Sequence, residues 1–152
     1  MPQEAPFVRG SGLAFEEKLV PPMDGFGVLC ESHLSREETE TLCGWSIMVP
    51  VSLAEEIWLP LHPGDVEESM IVGSYQVLML AERLAAIIDL PTEVPQMCDN
   101  LDLTMWFRDE AKELAATKPG PWSEDLDTAF YVALHLRAAQ HSLRRNSPIV
   151  YP

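Results

Sequence analysis

From Asp65 or Glu67 to about Asp89, apolar residues recur at three- and four-residue spacings: Met70, Val77, Leu78, Ala81, Leu84, Ala85 and Ile88. Tyr75, Leu80 and Ile87 widen that stripe. The pattern predicts a helix over 66–89 that is central to the core, stopped by Leu90-Pro91. A second periodic stretch covers 100–117, with Leu103, Phe107, Ala111 and Leu114 inward. Pro119-Gly120-Pro121 breaks it. A third covers 124–145, with Leu126, Phe130, Ala133, Leu134 and Ala138 inward. Its acids stand at the start and its bases at the end, as the helix dipole favours.

The first half of the chain predicts shorter elements. Phe26, Val28 and Cys30 alternate with Gly27, Leu29 and Glu31, the period of a strand over 26–31. Ser35-Arg36-Glu37-Glu38 is a capping box, starting a helix over 36–43 that Gly44 ends. Residues 45–51 read as a second strand, which Pro50 places at an edge or an exit. Ser52-Leu53-Ala54-Glu55 is another capping box, for a short helix over 53–59. The expected fold is α+β and predominantly helical: three main helices, two short ones and a small two-stranded element. Residues 1–24, with their prolines and glycines, read as a partly disordered arm, 25–146 as one globular domain and 147–152 as a tail.

The run Asp24-Gly25, Val28-Leu29, Arg36-Glu37-Glu38, Gly44-Trp45, Val49-Pro50-Val51-Ser52-Leu53 and Ile57-Trp58 resembles a family of short proteins of unknown function carried by plasmids and phages. The resemblance covers residues 24–88. It implies a small accessory protein of mobile DNA and a strand–helix–strand–helix start, and it carries no chemistry with it.

Composition is that of a globular chain, with 47% hydrophobic and 22% charged residues among 152. The net charge of −14 is unevenly placed. All 24 acids and seven of the ten bases lie in residues 1–127; beyond them stand Arg137, Arg144 and Arg145 and no acid. An acidic surface repels nucleic acid and anionic membranes, so direct binding to either is not expected. It suits a basic protein partner, or simply keeps the chain in solution. The basic end of the last helix offers a route to a homo-oligomer, by contact with an acidic patch on a second copy. The apolar stretch Ile71–Leu90 is interrupted by Gln76, Glu82 and Arg83, unlike a membrane span. Met1–Pro6 lacks the features of a secretory signal, and a cytoplasmic setting is expected.

Candidate chemistry is sparse. Cys30, His33 and Cys43, with Cys98, supply the ligand types of a zinc site or of a thiol enzyme. Only Cys30 and His33 have chelate spacing, and buried reduced thiols are the other reading. Clustered carboxylates such as Glu37, Glu38 and Glu40 sit at helix starts or on polar faces. No phosphate-binding glycine loop, H-E-x-x-H or G-x-S-x-G is present. No catalytic residue, cofactor or metal ligand is therefore assigned. The reading that follows is a small acidic, non-enzymatic, protein-binding accessory or inhibitory factor. Two alternatives stand beside it: a nucleic-acid mimic that blocks a DNA-binding protein, and a small metal- or thiol-dependent enzyme. The expected partner surface is the loop before the last helix, where Trp122 would be the anchor and Glu124, Asp125 and Asp127 the acidic rim. The alternative there is that Trp122 tucks into the core and the acids cap the helix.

Overall fold

Residues 21–53, 57–60 and 68–150 are described by the structure, a computed structural model. The chain opens with helix α1 (Asp24–His33) and helix α2 (Arg36–Cys43), then strands β1 (Ile47–Val49), β2 (Ile57–Pro60) and β3 (Glu68–Gly73). Helices α3 (Ser74–Ile87), α4 (Asn100–Arg108), α5 (Glu110–Thr117), α6 (Pro121–Glu124) and α7 (Leu126–Arg145) follow, and β4 (Ile149–Val150) closes the order. The fold is α+β and predominantly helical. Among the described residues no helix is long and apolar enough to cross a membrane.

The core forms where α3 meets α7, the most extensive contact between elements. Val77, Ala81 and Leu84 on α3 and Ala129, Val132, Ala133 and Ala139 on α7 are buried. Small residues on α7 let the two backbones approach. The expected last helix, 124–145, is therefore present with a later start. Asp125 caps it: its Oδ1 accepts from Thr128 N at 3.1 Å and its Oδ2 from the Thr128 hydroxyl at 2.8 Å. Asn146, at φ 50°, ends it in the left-handed region that asparagine tolerates. The Ser35 capping box is also present, with Glu38 N donating to Ser35 Oγ at 3.0 Å and Ser35 N donating to Glu38 Oε1 at 2.9 Å. Glu38 also accepts from Arg83, tying α2 to α3.

Four expectations are corrected. Residues 26–31 lie in a helix, not a strand. Phe26, Cys30 and Leu34 are buried at a spacing of four, while Val28, the middle of the expected alternation, is 61% exposed. The helix expected over 53–59 is replaced by a strand at 57–60, and its capping box falls partly on residues 54–56, outside the described residues. The helix expected over 66–89 begins only at Ser74, because 68–73 pair on both sides in the sheet. The stretch 100–117 forms two helices, divided at Asp109.

The expected two-stranded element is a four-stranded sheet in the order β2-β3-β1-β4. β1 runs parallel to β3, with Met48 opposite Val72. β2 and β4 are antiparallel additions on either side. Pro60 sits on the edge strand β2, where the missing N–H is tolerated. The ordered fold thus continues past residue 146, into the stretch expected as a tail. The expected arm lies mostly in residues 1–20, outside the described residues, but Pro21 is anchored: its carbonyl accepts from the Tyr131 hydroxyl at 2.6 Å.

One polar cluster is sealed inside. Ser74 and Ser142 are both fully buried. Their hydroxyl oxygens are 2.6 Å apart, with the Val49 carbonyl 2.8 Å from Ser74 and the Ser147 carbonyl 2.7 Å from Ser142. Together they join α3, α7, the end of β1 and the turn before β4.

Two glycines of α1 make a matched test of its helical state. A Cβ on Gly25 would overlap Asp125 Oδ2 and Thr128 Oγ1, the cap of α7, whereas one on Gly27 meets open space. Gly27→Ala is expected to stabilise the protein by about 0.5–1 kcal/mol through helix propensity. Gly25→Ala is expected to cost about 1–2 kcal/mol by displacing the cap. Urea denaturation of both variants checks the pair; a destabilising Gly27→Ala would speak against a helix here.

Candidate functional site

A cleft of about 1210 Å³ lies between the start of α4 and α7. Cys43 and Trp45 reach it from the end of α2 and the turn after it. Cys98, Asp99 and Asp102 come from the α4 side, and Phe130, Tyr131 and Leu134 from α7. Pro21 and β4 complete its outline.

Its polar character comes from one face of α7. Leu134, Arg137, Ala138, His141, Arg144 and Arg145 all line it, at helical spacings of three and four. The face passes from apolar to basic along the helix. Arg137 pins the opposite wall: Nη1 donates to the Cys98 carbonyl at 2.6 Å and Nη2 donates to Asn100 Oδ1. Its Nε is buried with no hydrogen-bond partner among the described residues. Arg144 and Arg145 are exposed. The ion pairs among the described residues are Arg83–Glu38 and Lys118–Glu93, so none of the three cleft arginines is neutralised by a contacting carboxylate there.

Exposed apolar residues gather at the same place. Met23, Met97, Leu101 and Val150 each leave close to half or more of their surface open, and all four line the cleft. Scattered exposed hydrophobics are ordinary; a cluster around a concavity marks a surface that meets something.

Four groups of the cleft, His135, His141, Cys43 and Cys98, are shifted away from easy proton chemistry. Burial lowers the pKa of His135, with its bond to the Tyr131 carbonyl, 2.8 Å from Nδ1, opposing. The ring also stacks on Phe26 at 5.2 Å. Burial lowers His141 too, and Arg145, Arg144 and Arg137 lower it further. Burial raises the Cys98 thiol against the pull of Arg137, with Asp102 and Asp99 adding to the rise. Cys43 is raised strongly by its hydrogen bond to Cys30, with burial adding to it. Cys30 is lowered by that same bond, against its burial.

The depressed histidines set a pH dependence. A histidine whose folded pKa lies below its ordinary 6.5 contributes stability above that value and loses it as the pH falls through the folded pKa. Unfolding free energy is expected to drop below about pH 6.5, with a contribution from His135 of at most about 1.4 kcal/mol per pH unit. His135→Gln should flatten that slope in urea titrations at a series of pH values. An unchanged slope would show that His135 does not carry it.

The structure brings together only part of the expected metal set. Cys30 and Cys43 meet, and Cys43 shares the cleft with Cys98, but His33 is exposed on the last turn of α1. Among the described residues no group of three or more His, Cys, Asp or Glu side chains converges as a metal site would require. At the expected partner surface the structure has Trp122 in the alternative position, tucked into the core. Trp122 is 2% exposed, with Nε1 donating to the Lys118 carbonyl at 3.2 Å. It is a core residue and offers no apolar anchor. Asp125 serves as the cap of α7, and Glu124 and Asp127 are exposed beside it.

Sequence reasoning missed the cleft. Its signal was present in the Leu134–Arg145 face of α7, where the inward-facing positions turn basic after the last acid of the chain. No protein-family model, curated protein or solved structure matches the chain.

Proposed function

We propose that the chain is a non-enzymatic binding protein that acts by taking a ligand or partner segment into the cleft between α4 and α7. The observation that carries this reading is the gathering of Met23, Met97, Leu101 and Val150 around a concavity that also holds three arginines without contacting carboxylates. Methionines adapt their shape to what they touch, which suits a binding wall. The state of the nucleophile and base candidates favours binding over catalysis. Cys43 and Cys98 hold their protons more tightly than free thiols, and His135 is committed to Tyr131 and Phe26.

The cleft can be blocked. Ala138→Trp places an indole in its wall, at a half-buried position that borders the core. Native mass spectrometry of the chain isolated from its own cells is expected to show added mass, from a ligand or partner, on the parent and none on Ala138→Trp. Thermal melting shows that the variant is folded. A parent chain with no added mass, or equal loading of a folded Ala138→Trp, would contradict the reading.

A second reading keeps the accessory or inhibitory factor acting on a basic protein. The net charge of −14 supports it, with Glu38 and Glu93 the acids held in ion pairs among the described residues. The mobile-DNA origin implied by the resemblance of residues 24–88 fits that role. Such a complex would weaken steeply with salt and be indifferent to Ala138→Trp, which separates the two readings.

A further inference from the structure

Resting on the cleft as the binding site, we infer that its ligand is a small organic anion with an apolar body, head group toward Arg144 and Arg145 and body against Phe130 and Leu134.

The apolar end of the cleft is built by the aromatic cluster of α7. Phe130 meets Phe107 edge-on at 5.8 Å and Tyr131 edge-on at 5.0 Å, so this wall is a packed aromatic cluster. Leu134 extends it by one turn. Two to three turns further on, the same face presents Arg144 and Arg145. Among the described residues neither makes a side-chain hydrogen bond or ion pair, so both keep their full donor capacity for a carboxylate or phosphate. The end of a helix favours bases by itself, which would account for Arg144 and Arg145 alone. Arg137, two turns earlier on the same face, is bonded to Cys98 and Asn100 through its Nη atoms, and its buried Nε has no partner among the described residues. Arg137, Arg144 and Arg145 stand four, three and four residues from His141 on the face that lines the cleft.

Asp99 and Asp102 stand on the α4 side, and Asp99 is held as a cap by Asp102 N at 2.8 Å. They leave the cleft only mildly positive. That balance suits one head group of one or two charges. Size and charge select against a polyanion. A cleft of about 1210 Å³ suits a drug-sized molecule. A nucleic acid or an acidic protein would extend over a surface with a net charge of −14 and be repelled. A small anion inside the cleft sits within about 8 Å of the arginines, inside the screening length, where the distant carboxylates count for little.

Calorimetric titration of the full chain with four probes sharing a decyl body tests this: decanoate, decyl phosphate, decanol and decyltrimethylammonium, each below its micelle concentration. Both anions, or the one whose head group the site selects, are expected to bind at least about tenfold more tightly than decanol, and the cation not to bind. Arg144→Glu with Arg145→Glu is expected to weaken anion binding at least about tenfold and leave decanol unchanged. Both positions are exposed, so the variant should fold, with a loss in melting temperature limited to the lost match with the helix dipole. Decanol binding as tightly as the anions would reduce the cleft to an apolar one and overturn the inference. Anion binding that ignores the double variant would overturn it as well. A dimer that the double variant dissolves, with no anion bound, would assign the basic end to a second copy instead. If no probe binds while the parent, but not Ala138→Trp, still carries added mass from its own cells, the anion is wrong and the cleft reading stands. If both fail, both fall.

Discussion

Trp122→Ala is expected to destabilise the fold by about 3–5 kcal/mol, the range for a large aromatic removed from a core. The indole is 2% exposed and lies over Gly120, where an added Cβ would come within 3.3 Å of its Cδ1. Its Nε1 holds the Lys118 carbonyl at the end of α5, so truncation also releases the loop that turns the chain from α5 into α7. Chemical denaturation measures the loss. A cost under about 1 kcal/mol would mean that Trp122 is not a core residue and would return it to the surface. Ligand binding by the fraction still folded should be unchanged, because Trp122 does not line the cleft.

Gly73→Ala is expected to cost about 2–3 kcal/mol. Gly73 is the last residue of β3 and the N-cap of α3, in an extended conformation that any residue adopts, so backbone strain is not the reason. Space is. A Cβ there would sit 2.5 Å from the Val51 carbonyl oxygen and 2.8 Å from Leu53 N. Both are main-chain atoms that cannot swing aside. Leu53 N already donates to Gln76 Oε1 at 2.9 Å, and Ser52 Oγ accepts from Gln76 Nε2 at 2.8 Å. The added methyl therefore displaces residues 51–53 or breaks their attachment to α3. Denaturation against the parent checks it, and a neutral variant would show that this segment does not pack on Gly73.

Local signals were legible wherever one residue type decides one hydrogen bond. Ser35 and Glu38 read as a capping box and form one. The acids before the last helix read as cap and dipole partners, and Asp125 is the cap. Pro50, Pro91 and the Pro119–Pro121 break all fall where elements stop. Periodicity failed where two periods share the same residues. Phe26 and Cys30 are four apart, which satisfies a helix face and an alternating strand equally; only the exposure of Val28 separates them. Met70 to Val77 is broken only by Gly73-Ser74 and Gln76, so the change from β3 to α3 inside it left Gly73-Ser74 as its mark. Partner strands for β1 were also out of reach, because Ile71 of β3 pairs with Ile47 from 24 residues away and Ile149 of β4 pairs with Met48 from 101. The cleft fails for the same reason: Trp45, Cys98 and Arg137 meet only in the folded chain. The basic face of α7 was readable, but without the opposing wall it looked like a helix end complementing its dipole.

The direct measurement of the central claim is an amide chemical-shift map of the full chain titrated with decyl phosphate. Shifts confined to Leu134–Arg145 of α7 and to residues 97–104 at the start of α4 are the expected result. Shifts centred on residues 121–127 would contradict a binding cleft between α4 and α7, and none at saturating probe would contradict the anion assigned to it.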